Sequence, residues 1–392
     1  MKTFGMSLLF ALCATVSANA APIPENGVTA HRGDSIRYPE NSLQAFASAC
    51  DLGVDWIETD VHLTADKQLV ISHNGTTGAY CNTDKKISAC TYEELAQLDM
   101  AENYRDRNLL TLLECPKLKI CRLDEALDLI LQKKTARLSI QPKCACVDQV
   151  IEMVRKKGAV KWVGFNDGNQ EWMSRVKELE PAIPVFWDRF NSDVEKDIAF
   201  AKEKKFETLV YFWRNMKPEM VKRLHEEGFK AGVWTVDLPA AQEHFLDMGI
   251  DRIYTDAPRQ LLEIKAQRDA SPVEKAEKAV LLKLEKIIIP EINFRPPATL
   301  MDAVQFLRKA SRDYDDPTLA PEKRGINFLL KLPQDGDRTA KETEKSSALP
   351  VIPAIHARFI TLKDTLQLIC DVTGMMYDVK GSVVVIAPKI FE

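Results

Sequence analysis

The sequence predicts a (β/α)8 TIM barrel with a hairpin insertion, followed by a small C-terminal α+β domain. Its 392 residues exceed the usual size of one domain. From Val28 to Pro258, short runs of β-branched and aromatic residues alternate with amphipathic stretches, which is the pattern of strands joined by helical crossovers. After Pro258 the composition becomes charged and then repeats a helix-centred pattern, so a second unit is expected to follow the barrel.

The first residues of the chain have the three parts of a cleavable signal peptide. Lys2 supplies the positive charge, residues 6–16 form a short apolar core, and residues 18–20 are an A-x-A cleavage site. We therefore expect residues 1–20 to be a signal peptide that is cleaved after Ala20. The mature protein is accordingly predicted to be secreted or periplasmic.

The overall composition excludes several classes of protein. Hydrophobic residues at 45% and charged residues at 28% are typical of a folded globular chain rather than a disordered one. The 53 basic and 57 acidic residues leave a net charge of −4. Proteins that bind nucleic acids usually carry a basic excess, so no nucleic-acid partner is expected. No apolar run after residue 20 reaches the roughly 18 residues that a membrane helix needs.

The cysteines predict local disulfides. In an oxidising compartment, cysteines that lie close in the sequence are the first candidates, and here these are Cys81 with Cys90 and Cys115 with Cys121. The spacing alone leaves other connectivities open. Cys144-Ala-Cys146 would suit a zinc site only with a second pair of ligands, and the sequence offers none nearby.

The apolar runs allow each strand of the barrel to be placed, with a helix expected between most of them. The first helix, for example, is predicted over residues 42–51, with Gly53 just beyond its end. Barrels of this kind keep their active sites at the carboxyl ends of the strands. The predicted strands are residues 28–31, 55–60, 137–141, 161–165, 184–187, 208–212, 231–235 and 252–255.

One further strand-like run, residues 68–73, does not fit this alternation. It follows the second barrel strand too closely for the crossover that a parallel pair requires, so it is expected to return as a hairpin. A two-residue turn at residues 66–67 would pair Asp60 with His73. Directly paired residues project to the same face, which Glu58 shares by the period of two. We therefore expect Glu58, Asp60 and His73 to converge at the active-site end of the barrel.

These residues suit the cleavage of phosphodiesters. Three of the six histidines cluster in this first part of the barrel. Glu58 and Asp60 suit a hard divalent cation, which takes oxygen ligands. Of His31 and His73, one can deprotonate a nucleophile while the other protonates a leaving alkoxide. Arg32 offers a planar fork for two phosphate oxygens.

A series of motifs in the barrel resembles the glycerophosphodiester phosphodiesterase family. HRG at residues 31–33, PEN at 39–41, ETD at 58–60 and a histidine that closes the hairpin follow one another in the order of that family. With later similarities such as VWTV at 233–236, the resemblance covers about residues 28–263. It implies a TIM barrel that hydrolyses a small-molecule phosphodiester with the help of a divalent cation, Mg²⁺ or Ca²⁺.

The resemblance also implies a role for each matching residue. His31 and His73 would be the catalytic acid and base, Arg32 would bind the phosphate, and Glu58 and Asp60 would hold the cation.

Five positions after the hairpin either depart from the family pattern or add to the predicted site. The family has another cation-binding carboxylate where this chain has Gln141, whose amide oxygen is a weaker ligand without charge. Lys143 matches a lysine of the family that faces the phosphate. Asn74 and Asp237 replace an aspartate and an asparagine of the family pattern. Trp234 is assigned to substrate binding, although the sequence leaves it open between the substrate wall and the barrel core.

Residues 74–121 form a long insertion between the hairpin and the next helix. Loops of this length in a compact barrel are usually functional. Because the insertion follows His73, we expect it to lie over the catalytic mouth and to select the alcohol group. Glu40 and Asn41 either begin and cap the first helix or belong to the site.

The predicted function is that of an exported, metal-dependent phosphodiesterase. It would hydrolyse glycerophosphodiesters, or related phospholipid head-group diesters, to an alcohol and a phosphomonoester. Two alternatives stay open. Gln141 supports a catalytically weakened barrel that acts as an envelope binding module. The related sphingomyelinase-D-like and phospholipase barrels suggest a lyase, in which a substrate hydroxyl attacks and leaves a cyclic phosphate.

The C-terminal part contains an internal repeat. The pattern TLxDxVQ at residues 299–305 recurs as TLxDxLQ at 361–367, each with a strand before and after it. It loosely resembles the short modules at the amino ends of secretins and TonB-dependent receptors. We expect a barrel domain over residues 21–263, a charged helical connector over 264–283 and an α+β module over 284–392, through which an envelope protein would bind.

Overall fold

The structure, a computed structural model, describes residues 25–190, 193–332 and 350–389. The predicted signal peptide lies outside these residues. The chain divides into two compact units, the first ending at Lys265 and the second beginning at Ala266. Within the described ranges, no helix is both long and apolar enough to cross a membrane.

Among the described residues the first unit has ten strands, and eight of them close into a parallel barrel. The strands are β1 (Val28–Ala30), β2 (Trp56–Leu63), β3 (Leu69–Ile71), β4 (Cys121–Arg122), β5 (Arg137–Pro142), β6 (Val163–Asp167), β7 (Val185–Arg189), β8 (Thr208–Phe212), β9 (Lys230–Trp234) and β10 (Arg252–Thr255). The barrel runs β1, β10, β9, β8, β7, β6, β5 and β2, and β2 pairs with β1 to close it. The predicted TIM barrel is thereby confirmed, with β3 and β4 attached to β2 as antiparallel additions.

The helices of the first unit cover the barrel through amphipathic faces. The fifth helix shows the pattern, because Val147, Val150, Ile151 and Val154 form its buried stripe at helical spacing. Phe165 on β6 is fully buried in the same core. The helices are α1 (Leu43–Leu52), α2 (Tyr92–Leu95), α3 (Glu102–Asn108), α4 (Leu123–Lys133), α5 (Val147–Lys156), α6 (Gln170–Leu179), α7 (Val194–Lys204), α8 (Pro218–Glu226), α9 (Pro239–Asp247) and α10 (Pro258–Asp269).

The hairpin forms as predicted, but its predicted register is wrong by one residue. β2 and β3 pair Leu63 with Leu69 and Val61 with Ile71. The Thr64 N–H donates to the Gln68 carbonyl oxygen (3.0 Å), so the turn between them consists of residues 65–67. The reason is Lys67, which adopts a left-handed conformation (φ 63°) and so completes a three-residue turn. Asp60 consequently lies opposite Ser72, whose N–H donates to the Asp60 carbonyl oxygen (3.0 Å), and not opposite His73.

The predicted disulfides Cys81–Cys90 and Cys115–Cys121 are also wrong. Each of the eight cysteines within the described ranges is a free thiol. The Cys81 Sγ points to two carbonyl oxygens of its own loop (3.2 and 3.6 Å), whereas Cys121 packs into the barrel core on β4. Closeness in sequence does not bring two Cβ atoms to the separation of about 4 Å that a disulfide requires.

The second unit is an α+β module with its own core. Its repeat is structural, because Thr299 and Thr361 each cap a helix by accepting a hydrogen bond from the N–H three residues later. Residues 264–283, expected to form the connector, lie in two helices, and Val280 and Leu284 of the second helix are buried in the core of this unit. The elements are α11 (Pro272–Lys286), β11 (Ile288–Phe294), α12 (Leu300–Asp313), β12 (Asn327–Leu330), β13 (Ile355–Thr361), α13 (Leu362–Thr373), β14 (Met375–Lys380) and β15 (Val383–Pro388).

These elements form two small sheets. β11 pairs with β13 in the antiparallel sense, and β15 lies between β12, parallel to it, and β14, antiparallel to it. The hydrophobic residues of the repeated helices, such as Leu300 and Leu362, are fully buried. The two halves recognised in the sequence therefore share one core.

Candidate active site

A cavity of about 410 Å³ opens at the carboxyl ends of the barrel strands. It brings together most of the site residues expected from the sequence. Asp60 lies beside the wall and forms ion pairs with Arg32 and Lys143, which belong to the wall. The predicted residues that line the cavity are His31, Arg32, Glu58, His73, Gln141, Lys143 and Trp234.

The strands bring these side chains together from separate parts of the chain. Glu58 and Asp60 alternate along β2, and the parallel pairing with β5 sets Asp60 beside Gln141. His31 and Arg32 directly follow β1, which neighbours β2. The barrel therefore gathers the acidic and basic groups at one end.

His31 is held by a carboxylate that the sequence did not identify as part of the site. Its Nδ1 lies 2.7 Å from the Asp256 Oδ1, which also accepts a hydrogen bond from the Ser35 hydroxyl (3.1 Å). Burial lowers the pKa of His31, but the Asp256 hydrogen bond and the charge of Glu58 outweigh burial and raise it. Asp256 directly follows β10, the barrel strand that pairs with β1. This position at the carboxyl end of a strand is the feature of the sequence that could have identified Asp256 as part of the site.

His73 is held by the insertion and by its own neighbour. The backbone N–H groups of His73 and Asn74 both donate to the Tyr80 hydroxyl oxygen (3.1 Å each). The His73 Nδ1 lies 2.7 Å from the Asn74 Oδ1, an acceptor that favours the tautomer with the proton on Nδ1. Burial lowers the pKa of His73, and the Arg32 charge lowers it further against the opposing effect of Asp60. His73 thus lies in the cavity wall beyond the end of β3. Contacts of the loop hold it there, and the alternation of side chains along a strand does not.

The two carboxylates of β2 have opposite electrostatic surroundings. Asp60, 1% exposed, accepts from the Asn41 Nδ2 (2.8 Å) and pairs with the Lys143 Nζ (2.8 Å). Burial raises the pKa of Asp60, but the charges of Lys143 and Arg32 dominate and lower it. Glu58 accepts a hydrogen bond from the backbone N–H of Arg32 (3.2 Å), and its Oε2 lies 4.0 Å from the His31 Nε2. Burial, reinforced by the Asp60 charge, raises the pKa of Glu58 to about 7.

Glu40 and Asn41 belong to the site. Ser42, and not Asn41, caps α1 through its side chain. The Arg32 Nη1 donates to the Glu40 Oε2 (3.0 Å), and the Tyr80 hydroxyl donates to the Glu40 Oε1 (3.2 Å). Glu40 therefore connects the arginine of the cavity with the insertion that supports the loop after β3.

Gln141 has a defined amide orientation. Its Oε1 accepts from the Lys143 ammonium, and its Nε2 donates to the Asp167 Oδ2 (3.2 Å). An ammonium only donates and a carboxylate only accepts, so these two neighbours determine which end of the amide faces which.

The side chains of the site provide the types of ligand that a hard cation takes, but they are not already arranged around a metal position. Two buried carboxylates, Glu58 and Asp60, and the amide oxygen of Gln141 are the oxygen ligands that Mg²⁺ and Ca²⁺ take. Within the described ranges, no three or more His, Cys, Asp or Glu side chains are grouped so that they hold a metal ion.

Trp234 lies in the wall of the cavity and also packs against a buried cluster of the barrel that includes Trp56 and Phe186. Its ring packs against Phe212 (centroids 5.3 Å apart), and Phe212 stacks on Phe190 (5.0 Å). Phe190 is 58% exposed at the same opening. The cavity therefore has one charged side and one aromatic side.

Comparison with known proteins agrees with this geometry. The model of the glycerophosphoryl diester phosphodiesterase family matches residues 31–260. A glycerophosphodiester phosphodiesterase of Caldanaerobacter subterraneus subsp. tengcongensis is 28% identical over 243 residues, which cover 60% of this chain and 96% of that protein.

Solved structures give the same fold. The crystal structure of a glycerophosphodiester phosphodiesterase from Parabacteroides distasonis is 26% identical, covers 64% of this chain and 100% of that chain, and has a TM-score of 0.53. A phosphodiesterase from Oleispira antarctica, solved in complex with the product sn-glycerol-3-phosphate, is 22% identical, covers 62% of this chain and 97% of that chain, and has a TM-score of 0.54.

Proposed function

This chain belongs to the glycerophosphoryl diester phosphodiesterase family, and we propose that it is an exported, divalent-cation-dependent member of it. It would hydrolyse glycerophosphodiesters, or related phospholipid head-group diesters, to an alcohol and a phosphomonoester such as sn-glycerol-3-phosphate. The main support for the proposal is that His31 and His73 line the same cavity as Arg32 and Lys143.

His73 is suited to be the general base. Its Nδ1–H donates to Asn74, which leaves the Nε2 lone pair free, and its lowered pKa keeps the ring neutral. It would take the proton of an attacking water as the water oxygen forms the new bond to phosphorus.

His31 is suited to be the general acid. The hydrogen bond from its Nδ1–H to Asp256 stabilises the imidazolium, and its raised pKa favours the protonated form of the ring. Its second nitrogen would donate a proton to the ester oxygen as the bond from phosphorus to the alcohol breaks.

The phosphate itself would be held by fixed positive charge. Arg32 and Lys143 would neutralise its non-bridging oxygens, Arg32 through its planar fork. Glu58, Asp60 and the Gln141 amide oxygen would hold the cation, Mg²⁺ or Ca²⁺. When bound, such a cation withdraws charge from the phosphate.

Export and an envelope partner are part of the proposal. The signal-peptide pattern of residues 1–20 supports a secreted or periplasmic location. The resemblance of residues 284–392 to modules of envelope proteins supports a protein partner there. Pull-down from an envelope fraction with and without residues 284–392 tests the second point.

The test of the activity is the release of choline or ethanolamine from glycerophosphocholine and glycerophosphoethanolamine, with and without chelator. Phosphorus NMR of the product is recorded alongside. We expect a phosphomonoester, with turnover lost on chelation and in Glu58→Ala and Asp60→Ala. A cyclic phosphate would establish the lyase alternative. A folded wild-type protein without turnover would establish the binding module.

A further inference from the structure

The negative charge that position 141 lacks is present one strand away. Asp167 ends β6, the barrel strand next to β5, which carries Gln141. The Asp167 Oδ2 accepts the Gln141 Nε2–H at 3.2 Å. A carboxylate therefore contacts the back of the amide whose front faces the Lys143 ammonium.

The Asp167 carboxylate is itself fixed. Its Oδ1 accepts the backbone N–H of Asn169 at 2.7 Å, at the start of α6. With one oxygen anchored by the backbone, the other is held toward Gln141.

This arrangement decides what Gln141 presents to the cavity. A glutamine amide can turn over and exchange its oxygen for its NH₂ group. With Asp167 accepting from Nε2, only Oε1 faces Lys143 and the neighbouring Asp60. Without that carboxylate, the orientation of the amide would depend on the Lys143 ammonium alone.

We propose that Asp167 is a positioning residue of the catalytic site, which orients the Gln141 amide oxygen toward the cation. Its negative charge, acting through the amide, would take the place of the carboxylate that the family has at position 141. This deepens the proposed function and rests on it for the identity of the cation site. Outer carboxylates that orient a metal ligand typically contribute 10–100-fold to metal affinity or activity.

The pair makes an unusual prediction, because a change at Asp167 should have opposite effects in two backgrounds. In the wild type, Asp167→Asn removes the charge behind Gln141 and should weaken Mg²⁺ and Ca²⁺ binding, measured by calorimetry, by roughly tenfold. In Gln141→Glu, two carboxylates face each other at hydrogen-bond distance and repel. There, Asp167→Asn provides an NH₂ donor and should strengthen cation binding.

Thermal unfolding in chelator gives a second readout without activity or metal. Gln141→Glu should lower the melting temperature, and adding Asp167→Asn should restore it. The control is Asp148→Asn, which removes an exposed carboxylate on α5 that pairs with Arg175 (2.9 Å). Its cation affinity should stay within about twofold of the wild type.

The outcomes separate this proposal from the proposed function. Opposite effects of Asp167→Asn on cation affinity in the two backgrounds support it, even if no glycerophosphodiester is turned over. The same direction in both backgrounds, or no measurable cation binding by any of the proteins, overturns it. If the melting temperature shows the reversal while cation affinity and turnover do not respond, Asp167 has only a structural role and the proposal is wrong.

Discussion

Replacing Glu58 by glutamine should stabilise the barrel at neutral and alkaline pH while it removes activity. Glu58 is 2% exposed, and burial together with the Asp60 charge raises its pKa from 4.5 to about 7. The positive charges of His31, Arg32 and Lys143 offset only part of this. The ionised form is therefore unfavourable in the folded protein, and glutamine removes it without a large change in shape.

The size and sign of the effect follow from linkage. A carboxyl group whose pKa is raised by folding binds its proton more tightly in the folded state. The free energy of unfolding should therefore fall as the pH rises from about 4.5 to about 7. Each tenfold change in acidity is worth about 1.4 kcal/mol, so the Glu58 contribution lost across this window is about 3 kcal/mol. Glu58→Gln should retain that amount above pH 7, and the two proteins should have equal stability near pH 4.5.

Urea unfolding across this pH range, in chelator, measures the difference. All six tryptophans lie in the first unit, so their fluorescence follows the barrel. A stability difference between Glu58→Gln and wild type that stays constant with pH would refute the reasoning. Adding Mg²⁺ provides the control for function, because it should stabilise the wild type and leave Glu58→Gln nearly unchanged.

Three further predictions concern the histidines and their supports. His31→Ala and His73→Ala should each lower turnover by roughly 10²–10⁴-fold, with substrate affinity much less affected, as steady-state kinetics will show. A structural histidine would instead lower the melting temperature and leave turnover per folded molecule unchanged. Asp256→Asn should lower the pKa of His31, because the amide lacks the negative charge that stabilises the imidazolium and is a weaker acceptor for its Nδ1–H. The alkaline limb of the pH–rate profile should then move to lower pH, and an unmoved limb would mean that His31 is not the acid. Tyr80→Phe removes the acceptor for two N–H groups of the His73 loop, so turnover should fall by up to about 10²-fold, and unchanged kinetics would exclude this support.

The barrel was predictable because its determinants are local. Buried residues produce the alternation of apolar runs and amphipathic stretches. This alternation can be recognised in the sequence even where the ends of an element differ from the prediction by a residue or two. The strand predicted at residues 161–165, for example, lies at Val163–Asp167, because the residues just before it form a short 3₁₀ helix. Such shifts leave the order of the strands, and hence the location of the site, unchanged.

The hairpin register and the disulfides were not predictable from the same pattern. A single left-handed residue, Lys67, adds one residue to the turn and moves every pair of the hairpin, and lysine has no intrinsic preference that would announce it. The thiols of Cys81 and Cys90 are neighbours only in sequence. In both cases the outcome depends on loop geometry rather than on hydrophobic pattern.

His73 nevertheless belongs to the site, although the register that predicted it is wrong. After Ile71 the chain leaves the strand, and the Tyr80 hydroxyl of the insertion holds the loop that carries His73. His31 depends instead on Asp256, at the opposite end of the barrel sequence. The proposed base is therefore supported by the insertion and the proposed acid by the closure of the barrel. Changes within the insertion can therefore alter one histidine while the other keeps its partner.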